Sequence, residues 1–169
     1  MDREIERIRG FAFDVDGVFT TGHVHLFPGG HKVRTFHSHD AYAVQRAIKA
    51  GYTIGIITGG YDEEVRESFL QMGVGFVYLK SRYKGEVFQT FLEESGLEAH
   101  QVLYMGDDVP DLIPMQLCGL SVAPANARTE ALQQAQWRTQ LKGGEGCVRE
   151  VIEYVMRKQN TWEQTDPTW

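Results

Sequence analysis

Residues 8–20 read Ile-Arg-Gly-Phe-Ala-Phe-Asp-Val-Asp-Gly-Val-Phe-Thr, an apolar run that leads into two aspartates and a glycine. The segment from Ile8 to Val15 predicts a buried β-strand, and Gly17 predicts the loop that follows it. The run does not alternate between polar and apolar positions, which is typical of a strand covered on both faces. The sequence therefore predicts a strand of a parallel sheet, with Asp14 and Asp16 at its carboxyl end.

Further apolar runs alternate with segments of helical period along the rest of the chain. The predicted strands are residues 52–58, 76–79, 102–105 and 120–123, and the predicted helices are residues 40–50, 62–72, 83–95, 108–117 and 145–158. Several of these helices stop at a glycine, which is a common helix terminator. The alternation indicates an α/β fold, a doubly wound (Rossmann-like) parallel sheet with helices on both faces.

The segment from residue 22 to residue 36 has a different pattern. Its two halves alternate between polar and apolar residues around Pro28-Gly-Gly-His31, which predicts a β-hairpin inserted after the first strand. A chain of 169 residues has room for one such domain and no cap domain. Residues 1–169 are therefore predicted to form a single domain. Its tail, residues 159–169, is expected to be disordered or to dock its tryptophans on a neighbouring subunit.

The composition excludes several classes of partner. The chain carries 17 Lys and Arg against 23 Asp and Glu, a formal charge of −6, which disfavours nucleic acid and anionic membranes. No apolar run reaches the ~18 residues of a membrane span, and the charged start of the chain lacks the apolar core of a signal peptide. Cys118 and Cys147 have no metal-binding spacing and are predicted to be buried thiols, so we expect a cytoplasmic protein.

Four polar clusters are predicted at one edge of the sheet. They are Asp14-Val-Asp16-Gly17, Thr58-Gly59-Gly60, Lys84, and Gly106-Asp107-Asp108 with Asp111. In an open parallel sheet, ligands bind beyond the carboxyl ends of the strands. A single aspartate at such a place is commonly a helix cap, but four clusters of complementary chemistry predict an active site.

The carboxylates suit a magnesium-dependent reaction at phosphorus. Mg²⁺ prefers oxygen ligands and keeps positions for water and phosphate oxygens, and Asp14, Asp107 and Asp108 are the candidate ligands. Beside such a cation, Asp14 could attack a phosphate ester and form an aspartyl-phosphate, which water then hydrolyses. Asp16, two residues further on, could protonate the leaving alkoxide and then deprotonate the water.

The other clusters suit the remaining oxygens of a phosphoryl group. The Thr58 hydroxyl, the backbone N–H groups next to it, including that of Gly59, and the Lys84 ammonium could hold these oxygens as charge moves to the leaving group. Lys80 is the competitor for the role of Lys84. The sequence thus predicts the Mg²⁺-dependent hydrolysis of a phosphomonoester.

The four clusters, in this order, resemble the four motifs of the haloacid dehalogenase superfamily of phosphatases. The most specific of them is Asp14-x-Asp16-Gly17-x-x-Thr20, and the resemblance extends over about residues 9–157. It implies that Asp14 is the nucleophile, that Asp16 is the acid/base with its backbone carbonyl on Mg²⁺, and that Asp107 is a metal ligand. The implied phosphate-binding and supporting residues are Thr58, Lys84, Asp108 and Asp111.

A narrower resemblance involves the hairpin, residues 121–127 and residues 143–150. These segments are similar to the capless subgroup of 3-deoxy-D-manno-octulosonate 8-phosphate phosphatases, which implies a phosphorylated sugar acid as substrate and a role in lipopolysaccharide biosynthesis. It also implies a homotetramer in which the hairpin or tail of a neighbour closes each site.

The sugar acid itself stays open, because the subgroup also contains phosphatases of 2-keto-3-deoxynononate 9-phosphate and related acylneuraminate 9-phosphates. Gly60 stands where octulosonate phosphatases usually carry an arginine. Residues 37–42 replace a segment that usually contains Asp-Gly, and Asp40 within it is expected near the substrate.

Histidines are concentrated in and beside the hairpin. The pairs His23/His25 and His37/His39 each fall on one strand face, which could bind Zn²⁺, although a solvated or subunit-facing surface is the more common outcome. We hypothesise that His37, His39 or Arg34 contacts the substrate carboxylate, either within one subunit or across a subunit interface.

Two functions of other classes share parts of the pattern. A signalling receiver domain also combines an aspartate, a metal and a Thr/Lys pair, but there the acidic metal-binding pair precedes the phosphoacceptor, whereas here Asp-x-Asp comes first. A non-catalytic oligomeric module would not need four intact motifs. Because the chain has no cap of its own to exclude water, we expect a neighbouring subunit to cover the site.

Overall fold

The computed structural model describes residues 1–30 and 32–163; His31 of the predicted hairpin turn and residues 164–169, including Trp169, lie outside the described residues. The strands are β1 (Gly10–Phe13), β2 (His25–Leu26), β3 (Lys32–Val33), β4 (Thr53–Ile57), β5 (Phe76–Tyr78), β6 (Val102–Met105), β7 (Leu120–Ala123) and β8 (Trp137–Arg138). The helices are α1 (Asp2–Arg7), α2 (Ser38–Lys49), α3 (Glu63–Gln71), α4 (Lys84–Ser95), α5 (Leu112–Leu117), α6 (Thr129–Gln134) and α7 (Cys147–Lys158), with 3₁₀ turns at Ala99–Gln101 and Val109–Asp111.

Strand β1 lies inside a six-stranded sheet with the order β5-β4-β1-β6-β7-β8. Gly10 at its start pairs with Thr53 of β4 on one side and with Val102 of β6 on the other. All neighbouring strands of this sheet are parallel, which confirms the predicted fold class. Strands β2 and β3 pair antiparallel as the predicted hairpin, outside this sheet.

Helices cover both faces of the sheet. Successive side chains of a strand point to opposite faces, so each strand contributes to two separate cores. Phe11 and Phe13 lie in one core with buried residues of α1, α2, α3 and α7, and Ala12 lies in the other with residues of α4, α5 and α6. The near-continuous apolar strands are therefore explained by burial on both faces. In the part of the chain that the structure describes, no helix is both long and apolar enough to cross a membrane.

Three short elements were not predicted, namely α1, α6 and β8. They contain six, six and two residues, too few to display a period. The predicted helix at 108–117 is a 3₁₀ turn followed by α5. Pro114 has no N–H to donate to the carbonyl of Pro110, so the α-helix begins only at Leu112, where Pro114 falls in the first turn.

The chain after α7 packs against the rest of the described structure up to Trp162, which is buried. The Arg46 guanidinium lies 4.9 Å from the centre of the Trp162 ring, and the ring of Tyr42 packs against it at 6.3 Å between centroids. Of the two tryptophans of the tail, Trp162 thus packs against residues of α2, while Trp169 lies outside the described residues.

Candidate active site

A cavity of about 630 Å³ opens at the carboxyl ends of the central strands. Eight of the residues selected from the sequence line it: Asp14, Asp16, Thr58, Gly59, Lys84, Asp107, Asp108 and Asp111. They arrive from the loops after β1, β4 and β6 and from the first turn of α4, so the parallel sheet brings together positions nearly 100 residues apart.

A buried ion cluster forms the floor of this cavity. The Lys84 ammonium lies 2.9 Å from Oδ1 of Asp14 and 2.8 Å from Oδ1 of Asp111, and Lys84 is only 5% exposed. Burial lowers the pKa of Lys84, but the two carboxylates raise it by more, so its pKa is raised and the side chain stays charged. Burial raises the pKa of Asp14 against the opposing effect of Lys84.

Asp111 has both carboxylate oxygens engaged. Its Oδ1 accepts from the Tyr104 hydroxyl at 2.7 Å, and its Oδ2 accepts from the backbone N–H groups of Asp107 at 3.2 Å and Asp108 at 3.4 Å. Burial raises the pKa of Tyr104, and the Asp111 charge adds to this, so the hydroxyl remains a donor. Asp111 therefore positions Lys84 and the loop after β6.

Tyr104 was missed by the sequence analysis. A tyrosine at the third position of an otherwise apolar strand needs a partner for its hydroxyl, and that requirement is the signal that could have found it.

The carboxylates present fit a hard divalent cation. Oxygens of Asp14, Asp107 and Asp111 lie within 4.8 Å of one another, an oxygen-only set of the kind that Mg²⁺ prefers. Burial, together with the Asp111 charge, raises the pKa of Asp107 to about 6, and a bound cation would offset this repulsion. Because Asp111 is already saturated, Asp14 and Asp107 are the side chains that could hold the ion.

Gly17 lets the two halves of this carboxylate site approach each other. A Cβ atom on Gly17 would lie 2.0 Å from Oδ2 of Asp107, and the residue has a φ of +93°. A side chain at position 17 would therefore displace the Asp107 carboxylate.

The loop after β4 presents Thr58, which is buried beneath the cavity. Its hydroxyl accepts from the Gly60 N–H at 3.1 Å. Lys80 joins the same loop only through its backbone N–H, which donates to the Gly60 carbonyl at 2.7 Å, and its side chain is exposed. The structure thus brings Lys84, and not Lys80, to the site.

The Arg34 side chain does not line the cavity. Its guanidinium contacts Asp16, with Nε 2.8 Å from Oδ1, and Asp62, with Nη1 2.8 Å from Oδ2. Within this chain Arg34 is therefore not placed to contact the substrate carboxylate, since both acidic partners already occupy the fork; a contact across a subunit interface stays a prediction. His37 and His39 also lie outside the cavity lining, and His37 accepts from the His39 N–H through Nδ1 at 3.3 Å as the cap of α2.

Asp40 is also away from the cavity, contrary to the expectation. It is 1% exposed, and its Oδ1 accepts from the Arg149 N–H at 2.7 Å in the first turn of α7. The carboxylate thus caps a neighbouring helix. Burial raises the pKa of Asp40 to about 6, against the opposing effect of the Arg149 N–H. Its Oδ2 has no hydrogen-bond partner among the described residues.

Near pH 8, we expect Asp40→Asn to be at least as stable as wild type, with a free energy of unfolding higher by up to about 1 kcal/mol. The reason is that asparagine keeps the capping acceptor without a buried charge. A folded-state pKa above the ordinary 3.8 means that wild-type stability falls as the pH rises from about 4 through about 6. Urea unfolding at about pH 4 and about pH 8 measures this, and the variant should lose most of that slope. Asp40→Ala, which removes the cap as well as the charge, is the control and should be about 1 kcal/mol less stable than Asp40→Asn at both pH values. A large loss in Asp40→Asn at the higher pH would contradict this account.

The glycines at 143 and 144 pack directly against the loop after β1. A Cβ atom on Gly143 would lie 1.8 Å from the Gly17 carbonyl oxygen, and the Gly144 N–H donates to the Val18 carbonyl at 2.9 Å. The Gly143 N–H also donates to Oδ1 of Asn126, a cavity residue, at 2.8 Å. The backbone of this glycine segment therefore lies directly against the loop after β1, beside the cavity.

The cavity has basic walls that the sequence analysis did not assign. Arg82 follows β5 and Arg128 follows β7, so they reach the cavity from the two flanks of β1. Neither arginine has an ion pair with another residue of the described ranges. No motif marks them in the sequence, because only the sheet order brings them together.

Comparison with known proteins agrees with this geometry. The profile of the haloacid dehalogenase-like hydrolases matches residues 70–151. A 3-deoxy-D-manno-octulosonate 8-phosphate phosphatase of Escherichia coli K12 is 31% identical over 159 residues, which are 94% of this chain and 85% of that protein. The chain belongs to this phosphatase family.

Solved structures agree with the family assignment. The phosphatase of Yersinia pestis has a TM-score of 0.93 at 30% identity, covering 96% of this chain and 88% of that one. The phosphatase of Moraxella catarrhalis, in complex with magnesium, phosphate and 3-deoxy-D-manno-octulosonate (KDO), has a TM-score of 0.93 at 26% identity. The match covers 96% of this chain and 94% of that one.

At Gly60, where the resemblance led us to expect an arginine, the structure places the guanidinium of another residue nearby. A Cβ atom on Gly60 would lie 3.9 Å from Nη2 of Arg34. The hairpin arginine therefore borders the space that a side chain at position 60 would enter.

Proposed function

We propose that this protein is a Mg²⁺-dependent phosphatase that hydrolyses 3-deoxy-D-manno-octulosonate 8-phosphate through an aspartyl-phosphate on Asp14. The observation that carries the proposal is the ion cluster of Asp14, Lys84 and Asp111 beside Asp107, at the end of β1. The named activity of relatives over most of the chain supports the choice of substrate.

In the first half-reaction, an oxygen of Asp14 attacks phosphorus, and the bond from phosphorus to the sugar oxygen breaks. Asp16 donates its proton to that leaving oxygen. Bound Mg²⁺, held by Asp14 and Asp107 and by the backbone carbonyl of Asp16, supplies positive charge to the phosphoryl oxygens. Lys84 fixes the Asp14 carboxylate through Oδ1.

In the second half-reaction, water attacks phosphorus, and the bond from phosphorus to Asp14 breaks. Asp16, now ionised, takes a proton from the water, so inorganic phosphate leaves and Asp14 is regenerated. Thr58, the Gly59 N–H and Lys84 hold the remaining phosphoryl oxygens in both steps. The buried position of Thr58 and Lys84 supports this role, because their interactions with charge are strongest away from water.

The cavity suits a substrate that carries a second anionic group besides its phosphate. Arg82 and Arg128 add positive charge to walls that would otherwise be dominated by carboxylates. Both arginines enter without an ion pair in the described part of the chain, so an anionic sugar acid can take them as partners. The alternative substrate, 2-keto-3-deoxynononate 9-phosphate, has the same chemistry and a longer carbon chain.

A substrate panel tests this proposal. We expect kcat/KM for the octulosonate 8-phosphate to exceed that for neutral hexose phosphates by at least ~100-fold with Mg²⁺, or ~2.7 kcal/mol of transition-state discrimination. The nononate 9-phosphate, measured in the same series, decides between the two sugar acids. A preference of this size for hexose phosphates would refute the sugar-acid assignment and leave the phosphatase chemistry in place.

A homotetramer in the cytoplasm completes the proposal. Leu26, Phe27 and Val33 of the hairpin are exposed apolar side chains, with Leu26 75% exposed, and such a surface suits contact with other subunits. Both cysteines are free thiols, as expected in a reducing compartment. Analytical ultracentrifugation measures the oligomeric state, and turnover is measured at the same nanomolar concentration. A monomer that keeps full activity there would refute the requirement for a neighbour.

A further inference from the structure

Arg34 links the hairpin to the acid/base residue. It follows β3, and its side chain is 8% exposed. Its Nε donates to Oδ1 of Asp16 at 2.8 Å, and its Nη2 donates to Oδ2 of Asp16 at 3.1 Å. On its other side, Nη1 lies 2.8 Å from Oδ2 of Asp62, the residue before α3.

This arrangement fixes the plane of the Asp16 carboxylate. A guanidinium that donates to both oxygens of a carboxylate restricts its rotation, which a lysine ammonium cannot do. The Thr20 hydroxyl adds a third donor, to Oδ1 of Asp16 at 3.1 Å. Asp62 holds the far side of the guanidinium, so the fork itself has little freedom.

We propose that Arg34 is a positioning residue that holds the Asp16 carboxylate in line with the leaving-group oxygen, with Asp62 as its anchor. The proposal rests on the proposed function, in which a proton on Asp16 passes to the sugar oxygen as the phosphorus–oxygen bond breaks. Oδ1 accepts from both Arg34 Nε and the Thr20 hydroxyl, so Oδ2 carries this proton, and the Nη2 contact belongs to the ionised carboxylate. Arg34 takes no part in bond formation or cleavage. It contributes by orienting Asp16, and so the hairpin is part of the catalytic machinery.

The dependence on the leaving group separates this role from the alternatives. An alkoxide needs a proton from Asp16 in order to leave, whereas p-nitrophenolate leaves readily without one. If phosphoryl transfer to Asp14 is irreversible, kcat/KM reports this first half-reaction alone. A misplaced Asp16 should therefore lower kcat/KM for alkyl phosphates and spare p-nitrophenyl phosphate.

The experiment compares Arg34→Gln with wild type on p-nitrophenyl phosphate, a neutral sugar phosphate and the octulosonate 8-phosphate. We expect kcat/KM to fall ~50-fold or more for both sugar phosphates and less than ~5-fold for the aryl phosphate. An equal fall on all three substrates indicates a structural role and overturns the proposal. A fall confined to the sugar acid, carried by KM, indicates direct contact with the carboxylate and also overturns it.

Matched variants protect the test against misfolding. Asp62→Asn leaves Arg34 in place but weakens its anchor. It should also lower kcat/KM selectively for the sugar phosphates, by a smaller factor than Arg34→Gln. A folded Asp62→Asn protein without this selective loss overturns the anchoring role. Arg34→Lys should regain only part of the wild-type ratio of kcat/KM for alkyl phosphates to kcat/KM for p-nitrophenyl phosphate. Arg66, an exposed arginine of α3 with a 3.8 Å ion pair to Glu63, is the control, and Arg66→Gln should leave the ratio unchanged.

The outcome can be read independently of the identity of the natural substrate. If wild type prefers neutral sugar phosphates, the proposed sugar acid fails, but the ratio of alkyl to aryl activity still tests Arg34. Wild-type inactivity on all three substrates would overturn the phosphatase proposal and this inference together.

Discussion

Replacing Asp14 by asparagine is expected to lower kcat for p-nitrophenyl phosphate by roughly 10⁴-fold or more, because the carboxamide cannot attack phosphorus. The choice of an aryl phosphate keeps the test independent of the sugar. Asp111 also contacts Lys84, but its oxygens are taken up by Tyr104 and two backbone N–H groups as well, so it cannot replace Asp14 as the nucleophile. Steady-state turnover at saturating Mg²⁺ measures the effect.

The Asp14→Asn protein should remain folded, which makes the loss interpretable. Lys84 keeps its partner Asp111 at 2.8 Å, so the substitution does not leave the buried ammonium alone. Circular dichroism and thermal unfolding provide the control. Unchanged turnover would refute the nucleophile assignment. In wild type, a phospho-Asp14 that persists for many minutes without turnover would instead favour a receiver-like function.

Asp107→Asn is expected to weaken Mg²⁺ binding by about 100-fold and to reduce activity in parallel at sub-millimolar Mg²⁺. The physical reason is the loss of one of the two carboxylates that remain free to ligate, since Asp111 is occupied by Tyr104, Lys84 and two backbone N–H groups. Activity should return at high Mg²⁺. Removal of the metal with a chelator should abolish wild-type activity, and added Mg²⁺ should restore it.

A binding readout without turnover accompanies this prediction. Mg²⁺ should raise the melting temperature of wild type and have a much smaller effect on Asp107→Asn at the same concentration. Asp108→Asn is the matched control, because Asp108 accepts from the Val109 N–H at 2.7 Å as a helix cap, a role that asparagine also performs. Equal Mg²⁺ affinity in all three proteins would contradict the assignment of Asp107 as a ligand.

The sequence predicted the sheet because its strands are buried on both faces. Phe11, Ala12 and Phe13 alternate between two cores, so neither face of the strand carries polar residues. The resulting apolar runs are easy to recognise in the sequence. The same topology places the clusters after β1, β4 and β6 at one edge, together with Lys84 at the start of α4, which is why eight site residues could be selected from their positions.

The sequence could not decide what each polar side chain near the site would contact. Arg34 in the hairpin and Asp40 after it were expected at the substrate, but their partners belong to other elements, the loop after β1 and helix α7. Tyr104 is hidden within an apolar strand, and its role depends on Asp111 seven residues later. Arg82 and Arg128 become neighbours of one cavity only when the order of all six strands is known.

The contact of the glycine segment with the loop after β1 also sets the order in which the site can be completed during synthesis. The nucleophile loop emerges from the ribosome early, but its Val18 carbonyl accepts from Gly144 and from the Cys147 thiol, at 2.9 Å and 3.3 Å. Strand β1 likewise has two neighbouring strands in the sheet only after β4 and β6 have been synthesised. Nascent chains that end before about residue 147 therefore lack a complete site, and pairing over such separations in sequence favours slow, late folding.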